Sequence, residues 1–160
     1  MSLVPLRRES SGSVFLQMQY RSGIRIKNIL DSFNINDTKE YARKLAEEVQ
    51  PGTVICLDGD LGAGKTVFAK GFAEGLGIQR NITSPTFTLL NIYEEGRLPL
   101  YHYDVYRVND IDEDEYFYGD GVCLIEWADN IRELIPADAI HIEIKRNPDK
   151  GEEYREIIRR

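Results

Sequence analysis

The sequence predicts an α/β protein, a three-layer sandwich on a mixed sheet with a β-hairpin insertion, and three observations carry that prediction. "TVICLD" at 53–58 is short and almost wholly apolar, the pattern of a strand covered on both faces, as in a parallel sheet. The next stretch, "GDLGAGKT" at 59–66, satisfies G-x-x-x-x-G-K-[ST] through Gly59, Gly64, Lys65 and Thr66 and opens a helix. Further on, the alternating segments "TFTLLNIY" and "LPLYHYDVYR" flank "EEGR" and read as a hairpin. Strand, glycine loop and helix in that order form the first unit of a P-loop nucleotide-binding fold.

The elements follow from local pattern. "NDTKEYARKLAEEVQPG" is a helix: Asp37 and Glu40 have the spacing of a capping box, Tyr41, Leu45 and Val49 share one face, and Pro51–Gly52 stop it. After the glycine loop, Phe68, Phe72 and Leu76 line a second helix that Gly77 can end. On the second hairpin strand, the period of two puts Leu100, His102, Asp104 and Tyr106 on one face. An acidic stretch containing Asp110, Asp112, Glu113, Asp114, Glu115 and Asp120 comes next, a solvated connection or a face for a partner. "VCLIEW" is an apolar strand ending in a carboxylate, "DNIRELI" a short helix, "AIHIEIKR" a strand and "YREIIRR" a last strand.

Residues 1–34 differ from the rest, with five basic residues, serines around Gly12 and no sustained period. A leader of little functional weight, a flexible basic arm and an extra edge strand all fit. Composition favours the leader, which leaves one P-loop domain at 35–160.

With 42% hydrophobic and 29% charged residues, the composition is that of a globular domain, and no apolar stretch has the length to span a membrane. A cytoplasmic location is the default expectation. The net charge of −7 argues against gripping nucleic acid unaided, because phosphate neutralisation needs clustered cations. Cys56 and Cys123 lie inside apolar runs without metal-ligand spacing and read as reduced core residues.

The glycine loop explains its own residue types. A triphosphate needs several N–H donors converging on it, and only a backbone free of Cβ atoms wraps so closely. The helix that follows points its positive end at the anion. Lys65 would reach the β- and γ-phosphates, and Thr66 would put its hydroxyl on Mg²⁺. The metal also needs a carboxylate at a strand end; Glu126 is the first candidate and Asp104 the second. "TSPTFT" at 83–88 is either a loop that senses the γ-phosphate or a turn into a strand. No N-K-x-D occurs, which favours ATP over GTP, and no arginine-rich lid of the small-molecule kinases is seen. Arg107 is a candidate arginine finger, with a structural salt bridge as its more ordinary role.

Taken in order, "GDLGAGKT", "SPTFTLL", "YHYDVYR" and "IEWAD" resemble the bacterial TsaE (YjeE) family, from about Ile35 to Arg160. The resemblance implies a small P-loop ATPase of tRNA threonylcarbamoyladenosine biosynthesis. It would bind ATP and Mg²⁺ and hydrolyse ATP slowly while docked on a TsaD–TsaB pair, which modifies adenosine 37 of tRNAs reading ANN codons; tRNA would be met only through that complex. By motif, Asp60, Leu61, Gly62, Ala63, Gly64, Lys65, Thr66 and Val67 would hold the nucleotide. Thr66 and Glu126 would surround the magnesium with Asp104 beside them, and Lys65, Asp104 and Glu126 would carry catalysis. Ser84 and Thr86 would form a switch-like loop, and Trp127 would lie beside the nucleotide. Ile35 to Thr38 and the loop after Arg146 resemble segments that flank the base. The leader has no counterpart in the family, and the segment between Arg107 and Gly121 looks several residues short. The rival readings are a small-molecule P-loop kinase and a non-catalytic nucleotide-binding adaptor.

Overall fold

The computed structural model describes residues 28–108 and 119–160. The strands are β1 (Asn28–Ser32), β2 (Val54–Asp58), β3 (Leu90–Tyr93), β4 (Leu100–Asp104), β5 (Val122–Glu126), β6 (Ile140–Arg146) and β7 (Arg155–Arg159). The helices are α1 (Ile35–Glu48) and α2 (Lys65–Gly75), and shorter 3₁₀ segments lie at Ala128–Leu134, between β5 and β6, and Pro148–Lys150, between β6 and β7. The sheet order is β1-β7-β6-β2-β5-β4-β3. Strands β6, β2, β5 and β4 run parallel, whereas β3, β7 and β1 each pair antiparallel with a neighbour. The strand that feeds the glycine loop is therefore the central one, covered on both faces as its apolar run requires.

Both helices lie on one face of the sheet. Ala42, Leu45, Ala46 and Val49 of α1 and Phe68, Ala69, Phe72 and Ala73 of α2 join Ile55, Leu57, Leu124, Ile142 and Ile144 in one core. The opposite face, with Val54, Cys56, Tyr103, Cys123 and Ile125, is closed by Ala128 and Ile131 of the 3₁₀ segment. Both cysteines are buried and free. The helices approach closely because α2 presents Gly71 and Gly75: a Cβ on either would stand 2.5 Å from the carbonyl oxygen of Lys39 or Arg43 in α1.

Several sequence expectations need correction. The leader boundary at residue 34 cuts through the fold, because β1 pairs with β7 from Asn28↔Arg159 to Ser32↔Arg155. "NILDS" buries only Leu30 and Ser32 fully, so an edge strand of five residues leaves little periodic signal. Residues 1–27 lie outside the described residues. Helix α1 is capped by Asn34, whose side chain accepts from the N–H groups of Asn36 and Asp37. Asp37 instead accepts from Phe33 N–H at 2.9 Å, so the cap lies three residues before the expected one. The "TFTLLNIY" strand begins only at Leu90; Thr88 and Leu89 N–H close a turn on the Pro85 carbonyl, and Leu89 takes φ 68°. "DNIRELI" is 3₁₀ with a kink at Ile131 rather than α-helix.

Candidate functional site

The chain leaves β2 and folds back before entering α2. Gly59, Gly62 and Gly64 have φ of 155°, 77° and 107°, conformations that suit a residue without Cβ. A Cβ on Gly59 would lie 2.6 Å from the Ile144 carbonyl oxygen, so the loop is pressed against β6. Gly64 is the N-cap of α2, and no side chain caps the helix there. First-turn N–H groups and the positive end of the dipole have no side-chain cap there, an arrangement that favours an anion.

Lys65, in the first turn, is 6% exposed. Its ammonium donates to the Gly59 carbonyl and to the Asp60 carbonyl at 3.1 Å, and lies 4.2 Å from the centroid of the Trp127 ring. Burial pulls its pKa below the ordinary lysine value, against the opposing fields of Glu126, Asp104, Asp58 and Asp60. Trp127 itself has φ 61°, an unusual left-handed conformation for a bulky residue that costs about 1–3 kcal/mol. Its N–H donates to the Leu57 carbonyl at 3.3 Å, and its ring packs on Tyr106 at 4.8 Å between centroids. These contacts hold the indole beside the lysine.

The parallel register of β4 and β5 sets Asp104 opposite Glu126 at the carboxyl ends of adjacent strands. They are 5% and 3% exposed. Glu126 Oε1 accepts from His102 Nε2 at 2.8 Å, a bond that requires the ring proton on Nε2. His102 Nδ1 is buried without a hydrogen-bond partner among the described residues. Asp104 accepts from the Thr86 hydroxyl at 2.9 Å and from the Tyr106 N–H at 3.0 Å. Thr86 in turn pairs with Ser84 at 2.8 Å, so the 83–88 loop is tied to the carboxylate pair by a chain of hydroxyls.

No group of three or more His, Cys, Asp and Glu that could hold a metal exists among the described residues. Two buried carboxylates at adjacent strand ends are nonetheless donors of the kind Mg²⁺ takes, since it keeps several waters and needs only one or two carboxylates alongside phosphate oxygens.

Residues 32–157 match the family model described as "Threonylcarbamoyl adenosine biosynthesis protein TsaE". The tRNA threonylcarbamoyladenosine biosynthesis protein TsaE of Bacillus subtilis is 54% identical over 128 residues, covering 78% of this chain and 79% of that one. The chain belongs to the TsaE family. The same-named protein of Treponema pallidum is 45% identical over 71% of this chain and 88% of its own. Among solved structures, the crystal structure of Bacillus subtilis YdiB superposes with a TM-score of 0.75 at 47% identity, covering 86% of this chain and 87% of that one.

In this TsaE-family chain the fold gathers Lys65, Asp104, Glu126, Thr86 and Trp127 around the glycine loop. Thr66 and Val67 sit half-buried in the first turn of α2, Asp60 is exposed, and Leu61 is 74% exposed at the loop tip. Ile35 is half-exposed on the first turn of α1. Thr38 is buried, and its hydroxyl pairs with Ser32 Oγ at 2.8 Å to join β1 to α1. Arg107 makes no salt bridge among the described residues; its guanidinium lies 5.3 Å from the Phe87 ring centroid. Most of the acidic stretch falls in 109–118, outside the described residues, but Asp120 accepts from the Tyr101 hydroxyl at 2.8 Å. Sequence reasoning gave no role to His102, although it lies on the same face of β4 as Asp104. Nor did it give one to Arg155, whose partners in the loop lie more than ninety residues away.

Proposed function

We propose that this chain serves tRNA threonylcarbamoyladenosine biosynthesis as a cytoplasmic ATPase that binds ATP with Mg²⁺ and hydrolyses it slowly. The observation that carries the reading is Lys65, buried beside paired strand-end carboxylates with its ammonium held by carbonyls of the glycine loop. Two carbonyls and a ring face satisfy that ammonium only in part, and a polyphosphate in the cradle offers it charged oxygens instead. Loop and first-turn N–H groups would bind the phosphates, and Lys65 would neutralise the β- and γ-oxygens. Thr66, Glu126 and Asp104 would hold Mg²⁺, which when bound supplies charge neutralisation on the phosphates. Asp104 anchors Thr86 and therefore the position of the 83–88 loop, so the loop and the metal site would respond to each other. Trp127 and Tyr106 shield one side of the lysine from water.

The names of the relatives support the pathway. The Arg107 guanidinium rests over the Phe87 ring, which supports slow turnover by the isolated chain, with a TsaD–TsaB complex supplying what is missing. The test is nucleotide binding and ATP turnover with and without TsaD–TsaB, together with mass spectrometry of adenosine 37 in tRNA from a depleted strain. Wild-type protein should restore the modification and Lys65→Ala should not. Restoration by Lys65→Ala, or stoichiometric phosphorylation of a metabolite by the wild-type protein, would overturn the reading.

A further inference from the structure

Strand β7 carries Arg155 to the outer side of the glycine loop. Its Nε donates to the Ala63 carbonyl at 2.7 Å, and Nη2 reaches the Gly62 carbonyl at 3.4 Å. Its Nη1 donates to the carbonyls of Glu152 at 2.6 Å and Tyr154 at 2.8 Å. One planar guanidinium thus spans two consecutive loop carbonyls and the turn that leads into β7. All four acceptors are main-chain oxygens.

A trans peptide points its carbonyl and its N–H in opposite directions. Pinning the Ala63 carbonyl toward β7 therefore turns the Gly64 N–H away from β7, and pinning the Gly62 carbonyl does the same for Ala63 N–H. The latter closes on the Asp60 carbonyl at 3.0 Å. Ala63 N–H is thus occupied within the loop, and Gly64 N–H is the donor whose direction depends on the Arg155 bond to the Ala63 carbonyl. Arg146 stands directly opposite Arg155 in the β6–β7 register, and its Nη1 lies 3.9 Å from where a Gly62 Cβ would be. Two like charges across a ladder are unfavourable on their own; they suit a wall that faces a polyanion. Burial and Arg146 together hold the Arg155 pKa below its ordinary value, though an arginine remains charged.

We infer that Arg155 is a positioning residue of the phosphate loop, which holds the 62–64 peptides in the orientation that binds an anion. The inference rests on the nucleotide reading of the loop. A lysine has the charge and roughly the length but not the fork, so it cannot serve two carbonyls and the Glu152–Tyr154 turn together.

The test uses the full chain and the variants Arg155→Gln and Arg155→Lys. The readouts are ATP·Mg²⁺ affinity by titration calorimetry and, without nucleotide, amide hydrogen exchange in residues 62–65. Both variants should lose roughly tenfold to a hundredfold in affinity. Exchange should speed up in the loop while β2, β5 and β6 stay protected. An Arg155→Lys protein with wild-type affinity, or an affinity loss with unchanged loop exchange, would overturn the inference while the nucleotide reading stands. Wild-type protein that binds no ATP would overturn both. Should Arg155→Gln fail to fold, Arg155→Lys carries the test.

Discussion

Replacing His102 by leucine should destabilise the protein through the carboxylate it leaves behind. The His102–Glu126 bond is 2.8 Å long, with side-chain exposures of 0% and 4%. Leucine has nearly the volume of histidine, so cavity formation contributes little. What is lost is a hydrogen bond to a buried carboxylate, a contact of about 1.5–3 kcal/mol. Because Glu126 then keeps its burial without its partner, the full penalty of breaking a buried pair is about 3–5 kcal/mol. His102→Gln, whose amide nitrogen falls near the Nε2 position, should recover much of that loss. In Glu126→Gln the carboxylate is already gone, so adding His102→Leu there should cost less than it does in the wild-type background. Urea unfolding of the four proteins at pH 7, followed by circular dichroism, gives the coupling energy of the cycle, expected at about 1.5–3 kcal/mol. A coupling energy under about 0.5 kcal/mol would refute the argument, since additive losses are the behaviour of independent sites.

Gly71→Ala should destabilise by about 1–3 kcal/mol through overpacking against α1, despite the better helix propensity of alanine, read as a lower urea midpoint with unchanged slope. Trp127 is the sole tryptophan, and Lys65 must leave its ring to reach a phosphate; ATP·Mg²⁺ should therefore change the intrinsic fluorescence of the wild-type protein but not of Lys65→Ala. Burial pushes the Cys56 thiol up to about 12 from 9.0, while the unfolded chain ionises near the ordinary value. The unfolded state thus loses its proton first, and stability should fall between pH 9 and 12 by up to about 4 kcal/mol at the top of that window. Cys56→Ala should flatten that slope in alkaline urea titrations, and a slope equal to that of the wild-type would sink the assignment.

The glycine loop was legible because its chemistry is local. Three glycines, a lysine and a threonine within eight residues state what the backbone must do there. Glu126 was legible because an apolar run delivers it to a strand end. Arg155 was not, because its work is done on carbonyls far away in the chain, and a strand of mixed polarity gives no hint of that. The cap of α1 was misplaced by three residues because Asn34 and Asp37 are both good capping types and only geometry chooses between them. β1 was hidden for a related reason: an edge strand buries too few side chains to impose a period.

By itself, the sequence determined which segments are strands and helices near the core, where the glycine loop lies, and which carboxylates end at neighbouring strand ends. Those features depend on contacts within a turn or a strand, where residue type and spacing are sufficient. Tertiary structure alone decided that His102 supports Glu126, that Thr86 hangs from Asp104, that Trp127 covers Lys65 and that β7 braces the loop through Arg155. Each of these pairs is brought together by strand register and chain crossing, and a one-dimensional pattern carries no information about which strand becomes the neighbour of which.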